Sequence, residues 1–227
     1  MIKTPLRYPG GKSKSVKYIA PLIPEFDEYR EPFIGGASVF LHLKQTYPTK
    51  QYWINDLYHS LYMFWNELKI HPIEITSQIN EWKKEYNGNE REMFKYLIKN
   101  ISELNDIQHG AAFYILNKTS FSGLTTSGSF SQQAVIQNFT DNCITKLNET
   151  GKIIQDTIIT NMDYSNVINE PGENVFLFLD PPYLLGDKSN LYGKKGEIHR
   201  RFNHEKFALD MKKCEHKWLI TYNDCQE

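Results

Sequence analysis

Val175-Phe176-Leu177-Phe178-Leu179-Asp180-Pro181-Pro182-Tyr183 is the stretch on which the fold turns. Uninterrupted apolar residues run into a carboxylate, two prolines and an aromatic. Such a run, closed by a breaker, predicts a central strand buried on both faces. Two successive prolines cannot continue a sheet ladder, so the strand stops there. Asp180 and Tyr183 are thereby presented at the carboxyl end of a buried strand, where open α/β sheets carry their sites. A strand end followed by a proline-rich turn is the plain alternative.

Upstream, residues 169–174 read as a Gly/Pro turn, and residues 152–160, β-branched and mainly apolar, as another strand. Asp163 follows that strand, level with Asp180, or else caps a helix over residues 164–169. Downstream, Lys188, Lys194, Lys195, Arg200 and Arg201 stand against Glu197, with Gly186 and Gly193 among them. This excess of cations beside the site suits a phosphate-contacting lid, or an ordinary solvated loop. Residues 204–214 then predict a helix and residues 217–222 a last strand. The chain stops soon after Asp224, and the expectation is a sheet left with an uncovered edge, in a chain either truncated at its C-terminus or of unusually short natural form.

Two glycine-rich segments lie in the first 40 residues. Leu6-Arg7-Tyr8-Pro9-Gly10-Gly11-Lys12-Ser13 sits in a basic run, and Gly10-Gly11 allows a tight path beside a ligand. Ser13 is placed to cap a helix over residues 16–22. Gly11-Lys12-Ser13 ends like a nucleotide-phosphate loop, but Leu6 occupies the position of that loop's first glycine, which argues against an ATPase or GTPase. Glu31-Pro32-Phe33-Ile34-Gly35-Gly36-Ala37 reads as strand, glycine turn and helix start, a loose dinucleotide-type pattern without its full spacing. After the next short strand, residues 51–55, comes Asp56, about 20 residues beyond the glycine turn. That is where a carboxylate meets ribose hydroxyls. Asp56 is also placed to cap the following helix.

Residues 57–148 change to helical periodicity, with Leu57, Leu61, Phe64, Trp65 and Leu68 on one face. Residues 111–117 predict a buried helix and residues 134–147 another. Between them lies Lys118-Thr119-Ser120-Phe121-Ser122-Gly123-Leu124-Thr125-Thr126-Ser127-Gly128-Ser129-Phe130, polar and glycine-punctuated. It is either a plain surface loop or one that offers hydroxyls to DNA phosphates. This middle is too long for one crossover helix. It predicts a helical subdomain, residues 61–147, inserted into an α/β domain formed by residues 1–60 and 148–227.

Composition sets limits on function. The 227 residues carry 26 Lys and Arg against 27 Asp and Glu, so the surface is not uniformly basic and any nucleic-acid contact rests on local clusters. The 14 Tyr, 13 Phe and 4 Trp serve either the core or base stacking. Cys143, Cys214 and Cys225 form neither a metal motif nor a disulfide framework. No metal is expected. Nothing resembles a signal peptide or a membrane span, so a cytoplasmic chain is the default reading.

Taken in order, the motifs Tyr8-Pro9-Gly10-Gly11-Lys12, Glu31-Pro32-Phe33-Ile34-Gly35-Gly36-Ala37 and Asp180-Pro181-Pro182-Tyr183 resemble those of the Dam-like (D12 class) DNA N6-adenine methyltransferases. Residues 117–124 and 218–224 are similar to further stretches of that family, and the resemblance spans residues 5–224. It implies a Rossmann-like α/β sheet dependent on S-adenosylmethionine, with an inserted helical DNA-recognition subdomain. It also implies transfer of a methyl group to a flipped adenine in a short sequence of double-stranded DNA. Phe33, Gly35 and Gly36 would line the methionine side of the cofactor, and Asp56 would take its ribose. Asp163 would take its adenine amino group, and Tyr8 and Lys12 would lie over it. Asp180, which also borders the cofactor, would act in transfer with Pro181, Pro182 and Tyr183. Lys118, Ser120, Ser122, Thr125, Thr126, Lys194, Lys195, Arg200 and Arg201 would meet DNA. Ala37 stands where family members commonly have a third glycine. A cognate restriction endonuclease is an implied partner. Amino-methylation of RNA or of protein glutamine, and a non-catalytic DNA-binding module on the same scaffold, are the rival readings.

Overall fold

The computed structural model describes residues 1–125, 128–183 and 202–223. Within them β1 (Glu28–Glu31), β2 (Gln51–Asn55), β3 (Ile158–Thr160), β4 (Val175–Leu179) and β5 (Lys217–Ile220) form one sheet in the order β3-β2-β1-β4-β5. Every pairing is parallel. The order reverses between β1 and β4, so their carboxyl ends open a crevice at the switch point.

Strand β4 shows why its sequence lacks alternation. Phe176 and Phe178 enter the larger core with Tyr29 and Ile54, while Val175, Leu177 and Leu179 enter a second core with Ile168, Phe207 and Met211. Both faces are covered, so both parities must be apolar. Helices α1 (Val16–Ile19) and α2 (Ser38–Thr46) precede β2. Between β2 and β3 come α3 (His59–Ile70), α4 (Pro72–Glu85), α5 (Glu90–Asn100), α6 (Asp106–Thr119), α7 (Gln132–Asn138) and α8 (Asp141–Ile153). Helices α9 (Tyr164–Asn169) and α10 (His204–Lys213) then cover the β4 face that carries Leu177.

Helix α6 is the axis of the helical part. Residues 110–119 are all buried, and α6 packs on α3, α4, α5 and α7. Its Phe113, Ile115 and Leu116 belong to the same apolar cluster as Phe176 and Phe178 of the sheet, so one core runs through both.

Arg30 of β1 is only 1% exposed, and its guanidinium is fully engaged. Nε and Nη2 donate to the two carboxylate oxygens of Glu28 at 2.7 and 3.0 Å. Nη1 and Nη2 also donate to the carbonyls of Val167, Glu170 and Pro171. These carbonyls belong to α9's last turn and the residues just after it. A buried guanidinium thus stitches that helix end to the sheet.

Three local expectations are corrected. Residues 152–160 are not one strand: α8 continues to Ile153, and only Ile158–Thr160 pair with β2. Ile144 and Leu147 set a helical stripe that runs on through Gly151 to Ile154 at the C-cap, and the β-branched pair Ile153-Ile154 mimicked a strand. Residues 134–147 are not one helix either. The chain breaks at Phe139, and Thr140 caps a new helix by accepting from the Cys143 amide. Ser13 caps nothing: its hydroxyl meets that of Ser38 at 2.9 Å, and the expected helical run, α1 continued by a 3-10 turn over Ala20–Leu22, has Ser15 at its N-cap.

Candidate active site

A cavity of about 400 Å³ opens at the switch point. That is ample for a nucleotide-sized ligand. Its wall includes Tyr8, Lys12, Glu31, Phe33, Gly35, Gly36, Asp56, Asp163 and Asp180. Every residue expected at a cofactor therefore borders this one space.

The first wall is a turn on a turn. Pro9 and Gly10 occupy the two central positions of a β-turn closed by the Gly11 amide donating to the Tyr8 carbonyl at 2.9 Å. Gly10 has φ 72°, the sign that the third residue of a type II turn requires. The turn lays Tyr8 over the second glycine segment. A Cβ on Gly35 would stand 3.0 Å from the Tyr8 ring, and one on Gly36 would stand 3.0 Å from the Tyr8 Cβ. These glycines therefore seat Tyr8, in addition to opening the backbone to the cavity.

The floor is built by strand ends. Asn55, 1% exposed, closes β2. Its Nδ2 donates to the Pro32 and Met162 carbonyls, each at 3.0 Å. Its Oδ1 accepts from the Thr160 hydroxyl at 2.8 Å and the Met162 amide at 3.0 Å. One satisfied amide thus sets the loops after β1 and β3 relative to each other. Asp56 follows, accepting from the amides of Gly35 at 3.1 Å and Tyr58 at 2.9 Å. Burial lifts its carboxyl to about 6, against the pull of those two donors. Asp163 caps α9 through the Ser165 amide at 3.0 Å. Asp163 therefore caps a helix and lines the cavity at once. Asp56 does not cap the next helix as expected: α3 starts only at His59, and the carboxylate closes a local turn onto the amide of Tyr58, just before that helix.

Glu31, at the end of β1, is 3% exposed and also borders the cavity. Its Oε2 accepts from the Tyr29 hydroxyl at 2.7 Å and from the Phe40 amide, in the first turn of α2, at 3.1 Å. Burial raises it to about 8, so it is mainly protonated at neutral pH. Glu31 stands in plain view within its motif, yet nothing in the spacing marks it as a buried acid.

At the reacting end, both oxygens of Asp180 are engaged. Oδ1 accepts from the Thr221 hydroxyl at 2.7 Å, and Oδ2 pairs with the Lys12 ammonium. Lys12 also donates to the Gly10 carbonyl at 2.8 Å and lies 5.2 Å from the centre of the Tyr183 ring. Burial works against the charge on Lys12, but the charge and hydrogen bond of Asp180 outweigh it and raise the ammonium above its usual value. Tyr183 stands 6.0 Å from the Tyr222 ring. Pro182 lines the cavity and Pro181 links it to Asp180.

A side wall went unread in the sequence. Phe33 packs against Tyr164, Phe202 and Phe207 at 5.5, 5.7 and 5.9 Å. Tyr164, Phe202, Asn203 and Lys206 border the cavity. These residues are scattered along the chain, and only tertiary packing unites them.

The residues expected at DNA divide. Lys118 is 7% exposed and lies 5.4 Å from the centre of the Tyr114 ring, where burial lowers its ammonium to about 8. Ser120 is fully buried, and its hydroxyl accepts from the Thr125 amide at 3.2 Å. Thr125 is buried as well. All three are turned inward, because the end of α6 is enclosed on every side and the loop uses its own hydroxyls to satisfy its backbone. Ser122 is exposed, with φ 54°. Thr126, Lys194, Lys195, Arg200 and Arg201 lie outside the described residues. The loop is anchored to the cavity's first wall. Asn117 accepts from the Arg7 amide at 2.9 Å and donates to the Arg7 carbonyl at 2.8 Å, and Arg7 donates to the Ser120 carbonyl at 3.0 Å.

Comparison with known proteins identifies the class. The "Modification methylase StsI" of Streptococcus sanguinis is 27% identical over 214 residues, covering 86% of this chain and 31% of that protein. The "Type II methyltransferase M.MjaIII" of Methanocaldococcus jannaschii is 24% identical over 215 residues, covering 84% of this chain and 72% of its own. A "DNA adenine methylase" of Vibrio cholerae is 31% identical over 120 residues, 52% of this chain and 42% of that one. The match thus spans under a third of the first relative, under half of the third and nearly three quarters of the second. The family model of the D12 class N6 adenine-specific DNA methyltransferases covers residues 8–227. With that match over nearly its whole length, the chain belongs to the D12 class N6 adenine-specific DNA methyltransferase family.

Proposed function

We propose that the chain methylates the N6 amine of adenine at a specific sequence in double-stranded DNA, using S-adenosylmethionine. The observation that carries this is that Asp180 borders a cavity walled by two glycine turns and by Asp56, Asp163 and Phe33, with the Tyr183 ring 5.2 Å from the Lys12 ammonium that pairs with Asp180. The donor set fits the cofactor. Asp56 and Asp163 supply acceptors for ribose hydroxyls and an adenine amine, and the seated Gly35-Gly36 turn leaves room for the amino-acid arm. When bound, the cofactor supplies an electrophilic methyl group, so the chemistry asked of the protein is modest.

An exocyclic adenine amine is a weak nucleophile, its lone pair being delocalised into the ring. Asp180 and the Pro181 carbonyl accept the amino hydrogens, favour a pyramidal nitrogen and stabilise the positive charge that develops on it. In this structure the Lys12 ammonium occupies Oδ2 beside the Tyr183 ring, so it must give way when the base arrives. The base reaches the site by flipping out of the duplex, and Tyr183 stacks against it. Ser122 and the basic run of residues 188–201 supply phosphate contacts. A restriction endonuclease of the same specificity is the natural partner, in a cytoplasmic setting.

Radiolabelled methyl transfer to DNA, RNA and protein tests the reading. Label in N6-methyladenine of duplex DNA is expected, and label confined to RNA or protein would overturn it. Asp180→Ala is expected to lower transfer by at least a thousandfold while calorimetric cofactor affinity changes less than threefold. Tyr183→Ala should raise KM for DNA more than it weakens cofactor binding.

A further inference from the structure

We infer that Thr221 is a positioning residue for the reacting carboxylate. The inference rests on the methyltransferase reading and deepens it. Thr221 follows the last residue of β5, and its amide donates to the Leu179 carbonyl at 2.9 Å, tying it to the end of β4. Its hydroxyl lies 2.7 Å from Asp180 Oδ1 and 3.4 Å from the Leu179 carbonyl. It has one hydrogen to give, and the shorter contact to the charged acceptor takes it.

The consequence is a division of labour within one carboxylate. Oδ1 is held by a group fixed to the sheet. Oδ2 is held by Lys12, a long side chain that can swing away. When a target amine displaces Lys12, the Thr221 bond is the one that, among the described residues, still holds the Asp180 side chain, and Oδ2 stays aimed at the incoming nitrogen. Without it the carboxylate can rotate, and alignment in the transition state is lost. Thr221 does not border the cavity, so its removal should leave cofactor contacts alone.

The test compares Thr221→Val, which keeps the shape and backbone amide, with Thr221→Ser, which keeps the hydroxyl. Single-turnover methyl transfer by Thr221→Val is expected to fall at least tenfold, with KM for DNA, cofactor affinity and melting temperature near wild type. Thr221→Ser should recover most of the rate. A Thr221→Val rate within twofold of wild type overturns the inference. So does a Thr221→Ser rate no better than that of Thr221→Val, or a parallel loss of cofactor affinity. NMR side-chain couplings of Asp180, measured on a Lys12→Met background, give a readout that needs no turnover. One rotamer with Thr221 and averaged couplings with Val support the role, and one unchanged rotamer in both refutes it. Absence of transfer by the wild-type chain would overturn the methyltransferase reading, and these couplings would still decide whether Thr221 orients Asp180.

Discussion

Ala37 holds φ 58° and ψ 28° at the start of α2, in the left-handed region that L residues avoid. The conformation costs about 1 kcal/mol relative to glycine. Its buried methyl contributes about 0.8 kcal/mol in return. The two nearly cancel, which explains how alanine can serve where a third glycine was expected. Ala37→Gly should therefore change stability by no more than about 0.5 kcal/mol. Ala111→Gly, inside buried α6, should cost about 1–2 kcal/mol. Denaturant unfolding of both variants checks the contrast, and equal losses would contradict it. Asp180 was legible at this scale from its motif. Thr221 was not, since no spacing rule links a residue after β5 to one after β4; only their parallel pairing brings the two together.

At the scale of elements, the loop after α6 and the turn that seats Tyr8 behave as one unit. Gly123 has φ 73°, and a Cβ there would fall 2.1 Å from the Arg7 carbonyl oxygen. That contact is with backbone, so it cannot be relieved by a side-chain rotation. Gly123→Ala must push residue 7 away, and residue 8 with it. Although Gly123 does not border the cavity, the variant is expected to weaken cofactor binding about tenfold, roughly 1.4 kcal/mol, along with DNA binding. Calorimetric titration with cofactor alone decides this: an unchanged affinity would show that loop and turn move independently. Sequence periodicity revealed the helices but not this coupling, which depends on Asn117 offering its amide to Arg7 more than 100 residues away.

For the whole molecule, the buried acid at the cavity carries a stability cost that grows with pH. Glu31, lifted by burial from 4.5 to about 8, holds a proton in the folded chain that the unfolded chain releases. The folded state then binds more protons between those values, so this group's contribution to stability falls as pH rises through that window. Glu31→Gln keeps an acceptor for Tyr29 and Phe40 but has no proton to lose. Its unfolding free energy relative to wild type, from denaturant melts, is expected to rise steadily from pH 5 to pH 8, reaching a gain of at least about 1 kcal/mol. A pH-independent difference would mean that Glu31 titrates normally.

What the sequence by itself determined was local and periodic. The apolar run 175–179 could only be a strand covered on both faces, the prolines after it had to end it, and the glycine segments had to be turns. Those are properties of backbone sterics and of side-chain repeat, readable within a few residues. Tertiary structure decided the rest. It fixed how far α8 extends, which way Lys118 and Ser120 face, how Glu31 became a buried acid, and which group holds each oxygen of Asp180. Each of these depends on what packs against a residue from a distant part of the chain. Burial and hydrogen-bond partners come into being only when the strands pair and the cores close.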